Sequence, residues 1–382
     1  MRILFTGGGT AGHLSPIIAL ARQLKQIYTQ SMTPIGPEQE TRLEMFFLGP
    51  DGFAKELFKK EGIRTKTILA GKLRRYFSIW TIFDFLKMPL GLVQSIWHLY
   101  FWMPDVIFSK GGYGSVPVVL IGWLYRIPIL IHESDTMPGL ANRWAARFSQ
   151  RIALSFTSAK EYFPSEKTAL VGNPVRSGII QNCLTTDEEF KNDVKKIFGL
   201  ASQKPIIFIV GGSQGAKKLN DFILQILPQL LEKYQIIHQC GPKNYQKIEQ
   251  KIGSGAPAND YHLFPFLDER QMGGAYLLAD LVISRAGANS IFELAACAKP
   301  SILIPLPQAA SDHQRKNAFA YAQAGATIVL EQANLTPHLF LSKISQILDN
   351  QELVKKMSQS AQGFYSPEAA QKIAEELIKM GK

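Results

Sequence analysis

One device, used twice, constrains this chain more than any other feature. The apolar run at 2–5 (RILF) leads into Gly7-Gly8-Gly9, and apolar residues of helical period follow at Leu14, Ile17, Ile18, Ala21 and Leu24. Residues 205–210 (PIIFIV) lead likewise into Gly211-Gly212-Ser213-Gln214-Gly215, followed by Leu219, Phe222, Ile223, Ile226 and Leu227. Each reads as strand, glycine turn, helix, with Pro16 tolerated in the first turn of its helix. Two such openings predict an α/β chain of two Rossmann-like halves rather than one large sheet.

Between the openings, short apolar runs alternate with helical patterns, as parallel sheets require. The strand candidates are 45–49, 105–112, 127–133 and 151–156 in the first half, and 236–241, 261–266, 280–287 and 301–307 in the second. Several end in Gly, Ser, His or Glu, so polar groups gather at strand C-termini, where open α/β sheets bind ligands. The seam falls in LVGNPVRSG (170–178), and the last helix, 367–380, is assignable to either half.

A length of 382 residues suits two domains, and 46% hydrophobic against 19% charged residues gives each a core and argues against disorder. The formal charge of +11 favours an acidic partner: nucleic acid, anionic lipid or a phosphorylated substrate. Cys183, Cys240 and Cys297 are far apart and odd in number, which argues against a disulfide framework and fits a reducing compartment. The opening MRILFTGGGTAGH has too short an apolar run for a signal peptide.

The glycine turns carry the chemistry. Gly7-x-Gly9-x-x-Gly12 fits the dinucleotide fingerprint, but the acidic ribose ligand expected about 20 residues on is missing, since that region reads Gln30-Ser31-Met32. The loop still offers N–H groups at a helix N-terminus to any diphosphate. His13, next in line, stands where the helix dipole keeps an imidazole neutral, as a general base must be; a capping histidine is the plainer alternative. Gly211-x-Ser213-x-Gly215 matches both a phosphate-cradling turn and the nucleophile elbow of a hydrolase, for which Asp280 and His313 are the available partners. No Asp-x-Asp occurs, and His132-Glu133 lacks the second histidine of a zincin, so no metal site is expected. The charge of a leaving diphosphate then falls to N–H groups, helix dipoles and arginines, with Arg176 and Arg285 as candidates. Glu293, on the helix after Gly287, is placed to accept hydrogen bonds from a ribose diol or to be a plain surface glutamate.

The stretch 72–104 sets Lys72, Arg74, Arg75 and Lys87 among Tyr76, Phe77, Trp80, Phe83, Phe85, Trp97, Tyr100, Phe101 and Trp102. Its charge-free run, 88–104, is marginal for spanning a bilayer. A basic-rimmed apolar face lying on an anionic membrane, with another face in the core, fits better.

Seven blocks, in order, resemble the MurG family of glycosyltransferases, which make lipid II for peptidoglycan: 6–16, 109–117, 132–143, 172–176, 211–220, 279–293 and 312–318. The resemblance implies a GT-B fold, two Rossmann-like domains with parallel sheets facing across a cleft. It divides the chain into an acceptor- and membrane-facing domain at 1–172, a UDP-sugar domain at 173–365, and a C-terminal helix at 366–382 that packs back on the first. The implied reaction is inverting, metal-independent transfer of GlcNAc from UDP-GlcNAc to the 4-OH of the MurNAc of undecaprenyl-diphosphate-MurNAc-pentapeptide. That places the protein in cell-wall biogenesis, cell shape and division. It would work without cofactor or nucleic acid, peripherally on the cytoplasmic face of the bacterial plasma membrane.

By the same resemblance, His13, Glu133 and Asp135 are the catalytic candidates. Donor contacts fall to Thr10, Ala11, Gly12, Asp135, Arg176, Ser213, Leu267 near the uracil, Ala288, Asn289, Ser290, Glu293 on the ribose, and Gln314 on the GlcNAc. The acceptor diphosphate falls to Gly8, Gly9, Gly12, Gly111, Gly112 and Tyr113, and the membrane patch to Arg74, Arg75, Tyr76, Phe77, Trp80 and Phe83. One position departs: many members read HEQN where this chain reads His132-Glu133-Ser134-Asp135, so Asp135 replaces a sugar-contacting Asn.

Overall fold

The computed structural model describes the chain except at residues 9–11, 13, 32–42, 51–53, 72–78, 213–214, 254–259, 308 and 310–311. Of residues 31, 54 and 79–86 only the backbone is described. Two units result: Met1–Pro174 joined by Pro367–Lys382, and Val175–Ser366.

The first unit opens with β1 (Arg2–Thr6), α1 (Leu14–Ser31), β2 (Glu44–Gly49), α2 (Ala54–Lys60), β3 (Ile63–Thr67) and α3 (Ile79–Trp102). It continues with β4 (Val106–Ser109), α4 (Val116–Leu124), β5 (Ile129–Glu133), α5 (Leu140–Ala145), β6 (Arg151–Leu154) and β7 (Thr168–Leu170). The strands form one parallel sheet in the order β3-β2-β1-β4-β5-β6-β7. Alternation along β1 shows why the sequence folds so. Ile3 and Phe5 join α1 and Phe58 in one core, while Leu4 joins Leu99, Val118 and Val119 in the core of the opposite face. A sheet buried on both faces needs near-continuous apolar runs, and β1, β2, β4 and β5 supply them through their centres, with polar residues at the strand ends.

The second unit runs through α6 (Ser177–Cys183), α7 (Glu188–Phe198), β8 (Ile206–Val210), α8 (Lys217–Gln225), α9 (Leu227–Lys233) and β9 (Gln235–Gln239). Next come α10 (Pro242–Ile252), β10 (Tyr261–Phe264), α11 (Glu269–Leu278), β11 (Leu281–Ser284), α12 (Ala288–Ala296) and β12 (Ser301–Leu303). It closes with α13 (His313–Gln323), β13 (Thr327–Val329), α14 (Pro337–Leu348) and α15 (Gln351–Phe364). Its parallel sheet has the order β10-β9-β8-β11-β12-β13. The last helix, α16 (Ala369–Met380), returns to the first unit, burying Ile373, Ala374 and Leu377 beside Ile17 and Leu24, with Arg151 paired to Glu376 at 2.7 Å.

The cysteine reading needs a correction. Cys183, in the last turn of α6, and Cys297, capping α12, form a disulfide with Cα atoms 5.7 Å apart. Their separation of 114 residues hid the pair, because only the fold brings the ends of α6 and α12 side by side. Cys240 is free and buried.

Candidate active site

Both sheets reverse direction of build once: between β1 and β4 in the first unit, and between β8 and β11 in the second. Loops leaving such neighbouring strands part to opposite faces and open a crevice at the strand C-termini. The two glycine turns predicted from sequence leave β1 and β8, so each lies at such a point.

In the first unit the turns after β1 and β4 interlock. Lys110 N–H donates to the Thr6 carbonyl (2.8 Å), and Thr6 Oγ1 donates to Leu48 O (2.7 Å). Gly111 and Gly112 both have positive φ, +84° and +83°. A Cβ on Gly112 would lie 2.6 Å from Gly8 O, and one on Gly111 2.4 Å from Asn142 Oδ1. Glycine is therefore required twice, by conformation and by space. Tyr113 opens the short 3₁₀ turn Tyr113–Ser115 that leads into α4. Gly12 is exposed, at the start of α1. His13, Gly9, Thr10 and Ala11 lie outside the described residues.

The loop after β5 is anchored by its own strand end. Both Glu133 oxygens are occupied: Oε1 accepts from Asp135 N–H (3.0 Å), and Oε2 from Asn142 Nδ2 (2.9 Å) and Gly139 N–H (3.2 Å). Burial and then the charge of Asp135 push the Glu133 carboxyl up, against these donors and Lys110. That direction suits a base; the occupied oxygens suit an anchor. Lys110, 2% exposed, donates from Nζ to Ser134 Oγ in the same loop. His132, wholly buried, meets the Gly172 carbonyl (3.1 Å) and Ser155 Oγ (3.2 Å) through Nε2. Burial, aided by Lys110, holds its pKa far below the usual imidazole range, so it is neutral. Lys110, His132 and Asn142 were given no role from sequence. The available signal was a lysine between an apolar strand and a Gly-Gly pair.

In the second unit Arg176 caps α6 and reaches Glu293 on α12, Nη2 to Oε1 at 3.4 Å. Tyr276 Oη donates to Glu293 Oε2 (3.2 Å). Burial raises the Glu293 pKa, and Arg176 opposes the rise. Glu293 is thus a held internal carboxylate, not a surface one. Ala288, Asn289 and Ser290 form the first turn of α12, directly after β11. Leu267 is buried just beyond β10, before the Asp268 capping box of α11. Gln314 lies in the first turn of α13, its Oε1 accepting from Leu306 N–H (3.0 Å). Ala288, Asn289, Ser290, Leu267 and Gln314 follow strand C-termini, whereas Tyr276 reaches Glu293 from the far end of α11.

Two readings from sequence fail here. Arg285 points inward: Nη1 donates to the Ile304 and Pro305 carbonyls (3.0 and 3.3 Å) and Nη2 to Gln332 Oε1 (2.8 Å). It braces the loop after β12, leaving Arg176 as the diphosphate candidate. The hydrolase triad fails because Asp280 Oδ2 accepts from Ile206 N–H (2.8 Å), at the N-terminal end of β8. β8 is five residues long, so Asp280 lies at the strand end opposite the glycine turn that follows Val210. Ser213 itself lies outside the described residues.

Arg74, Arg75, Tyr76 and Phe77 also lie outside them, as do the side chains of Trp80 and Phe83. Further along α3, Gly91, Ser95 and Leu99 form the buried stripe, while Val93, Trp97, Tyr100 and Phe101 are exposed, Trp97 by 63%. Trp123 and Leu124 at the end of α4 are exposed too. Among the described residues no helix is long and apolar enough to cross a membrane.

A crevice of this kind in each of two Rossmann-like units is the layout of the GT-B glycosyltransferases. Residues 3–154 match the glycosyltransferase family 28 N-terminal domain, and residues 206–377 its C-terminal domain. The UDP-N-acetylglucosamine–N-acetylmuramyl-(pentapeptide) pyrophosphoryl-undecaprenol N-acetylglucosamine transferase 2 of Bacillus cereus is 37% identical over 93% of both chains. The transferase of that name, without a number, from Clostridium tetani is 37% identical over 94% of both. The crystal structure of Acinetobacter baumannii MurG superposes with a TM-score of 0.71 at 27% identity, covering 99% of each chain. The chain belongs to this family of N-acetylglucosamine transferases, within glycosyltransferase family 28.

Proposed function

We propose that the enzyme transfers GlcNAc from UDP-GlcNAc to the 4-hydroxyl of the MurNAc of undecaprenyl-diphosphate-MurNAc-pentapeptide, the step from lipid I to lipid II in peptidoglycan synthesis. The observation that carries this reading is the 37% identity across 93% of the chain to transferases bearing that name. The acceptor oxygen forms its bond to the anomeric carbon as the bond to UDP breaks, with inversion. The hydroxyl proton passes to a base and the diphosphate charge to N–H groups and Arg176.

The second unit takes the donor. Its support is the Arg176–Glu293–Tyr276 set, with Glu293 on the helix that follows β11 and offered to the ribose diol, and Gln314 and Leu267 just beyond neighbouring strand ends. The first unit takes the acceptor diphosphate at Gly8, Gly111, Gly112 and Tyr113. His13 is the preferred base and Asp135 its rival; the three donors on Glu133 make that residue the loop's anchor instead. His13→Ala lowers kcat roughly 10²–10⁴-fold in this reading, and an unchanged rate removes the assignment.

The enzyme works peripherally on the cytoplasmic face of the plasma membrane. At 1.5 Å per residue α3 is roughly 36 Å long. A membrane lying along its exposed face would meet Trp97, Tyr100 and Phe101. The deciding experiment is UDP release from UDP-GlcNAc in EDTA, with and without a soluble muramyl-diphosphate-lipid analogue. Release that depends on the analogue is expected; tight UDP binding without release sends the search to another acceptor.

A further inference from the structure

We propose that Lys110 is a positioning residue for the transfer: its ammonium, held on Ser134 beside two carboxylates, fixes and charge-balances the short loop that presents Asp135 to the reacting sugar. The proposal rests on the reading above in one respect, that Asp135 works at the transfer site.

The geometry is specific. Lys110 is the residue between β4 and the Gly111–Gly112 turn, and its backbone N–H is fixed to the end of β1. Its side chain is 2% exposed and spans to the next loop, donating to Ser134 Oγ. Ser134 sits between Glu133, whose oxygens take three N–H donors, and Asp135, whose own N–H is one of those donors. Two carboxylates two residues apart raise each other's cost of ionisation, and Asp135 does push the Glu133 carboxyl up. Among the described residues, Glu133 and Asp135 favour the charge of Lys110, and the nearby His132 is neutral. From α5 the polar group in this cluster is Asn142; Arg143 instead lies over the Tyr162 ring. Lys110 is thus a cation placed beside both carboxylates of this loop, and its charge opposes the rise in the Glu133 pKa.

Burial pushes the Lys110 pKa down to about 8, against the attraction of both carboxylates. The uracil N–H of the donor also ionises at alkaline pH, so an alkaline limb is assigned to Lys110 only by its difference from Lys110→Arg. The experiment compares wild type, Lys110→Arg and Lys110→Met by acceptor-dependent UDP release across roughly pH 6–10, bracketing the amine's range. Wild type is expected to lose activity above about pH 8. Lys110→Arg, which keeps its charge, retains activity there. Lys110→Met is lower on the order of 10²-fold throughout, as for a misplaced reacting group. An unimpaired Lys110→Met overturns the proposal, as does an identical alkaline limb in wild type and Lys110→Arg.

A second measurement needs no turnover: a thermal double-mutant cycle of Lys110→Met with Asp135→Asn, with UDP affinity as the check that the second unit is folded. Lys110→Met is expected to lower Tm less when Asp135 is already Asn. Additive losses overturn the coupling. If wild type transfers nothing to the muramyl acceptor, the function above fails while this cycle still decides Lys110.

Discussion

At the scale of single residues, Glu293 has surroundings that a plain helix glutamate would not need. Arg176 and Tyr276 take one oxygen each, and in the proposed function the remaining lone pairs accept from the ribose diol. Charged hydrogen bonds of that kind are worth about 1.5–3 kcal/mol. Glu293→Ala should raise the KM for UDP-GlcNAc about 10- to 100-fold, with kcat at saturation far less affected. Steady-state kinetics on both substrates checks this, and an unaltered donor KM removes Glu293 from the ribose. Lys110 gives a stability prediction whose sign opposes its activity limb. Its folded pKa, about 8, lies below the usual lysine value, so between about pH 8 and 10.5 the unfolded chain holds more protons. Stability from this group is present above the unfolded pKa and is lost as pH falls through the folded one. The Tm of wild type should therefore rise relative to Lys110→Met across that window, and a parallel pair of Tm curves would contradict it. Such residues are only half legible from sequence. Glu293 was readable because a glycine turn fixes the start of its helix. Tyr276 and Lys110 were not, because what matters about them is the side chain they meet across the fold.

Elements were more legible than residues, for a reason visible in their burial. β1, β2, β4, β5, β8, β9 and β11 lie inside their sheets, are buried nearly throughout, and announce themselves as apolar runs. β3 (IRTKT) and β7 (TAL) are edge strands with exposed residues, and β13 is three residues long. An edge strand needs only one apolar neighbour, so its sequence looks like a loop. The glycine turns were legible because they meet a steric demand. Gly215 has φ +75°, and a Cβ there would lie 2.4 Å from the Cys240 carbonyl. Gly215→Ala should cost about 2–4 kcal/mol, through left-handed strain and displacement of backbone, and should weaken UDP binding. Gly287 has φ −67° and open space where its Cβ would be, so Gly287→Ala should shift stability by less than about 0.5 kcal/mol. Equal Tm values for the two variants would contradict this account of the turn.

At the scale of the whole molecule, the sequence repeats its strand–glycine–helix opening once per unit, and each repeat became a parallel sheet with its own core. What repetition could not say is where the chain's last helix goes. α16 follows the second unit in sequence, and residues up to 377 match that domain of the family, yet its apolar face lies in the core of the first unit. Its buried residues follow the spacing of a helix stripe: Ala369, Ile373, Ala374 and Leu377. Covering Ile373 and Leu377 is worth about 3–6 kcal/mol at 1.5–3 for each. Removal would also uncover the α1 side chains beneath them. Against a domain stability of about 5–15 kcal/mol, that loss is a large part of what the first unit has. Deleting Pro367–Lys382 should therefore unfold or severely loosen the first unit, while leaving UDP binding to the second. Hydrogen exchange decides it: amides of β1, β2, β4 and β5 should lose protection while those of β8, β9 and β11 keep theirs. Uniform protection in the truncated chain would mean that the first unit stands without α16. Loss of both together would mean that the two units fold as one.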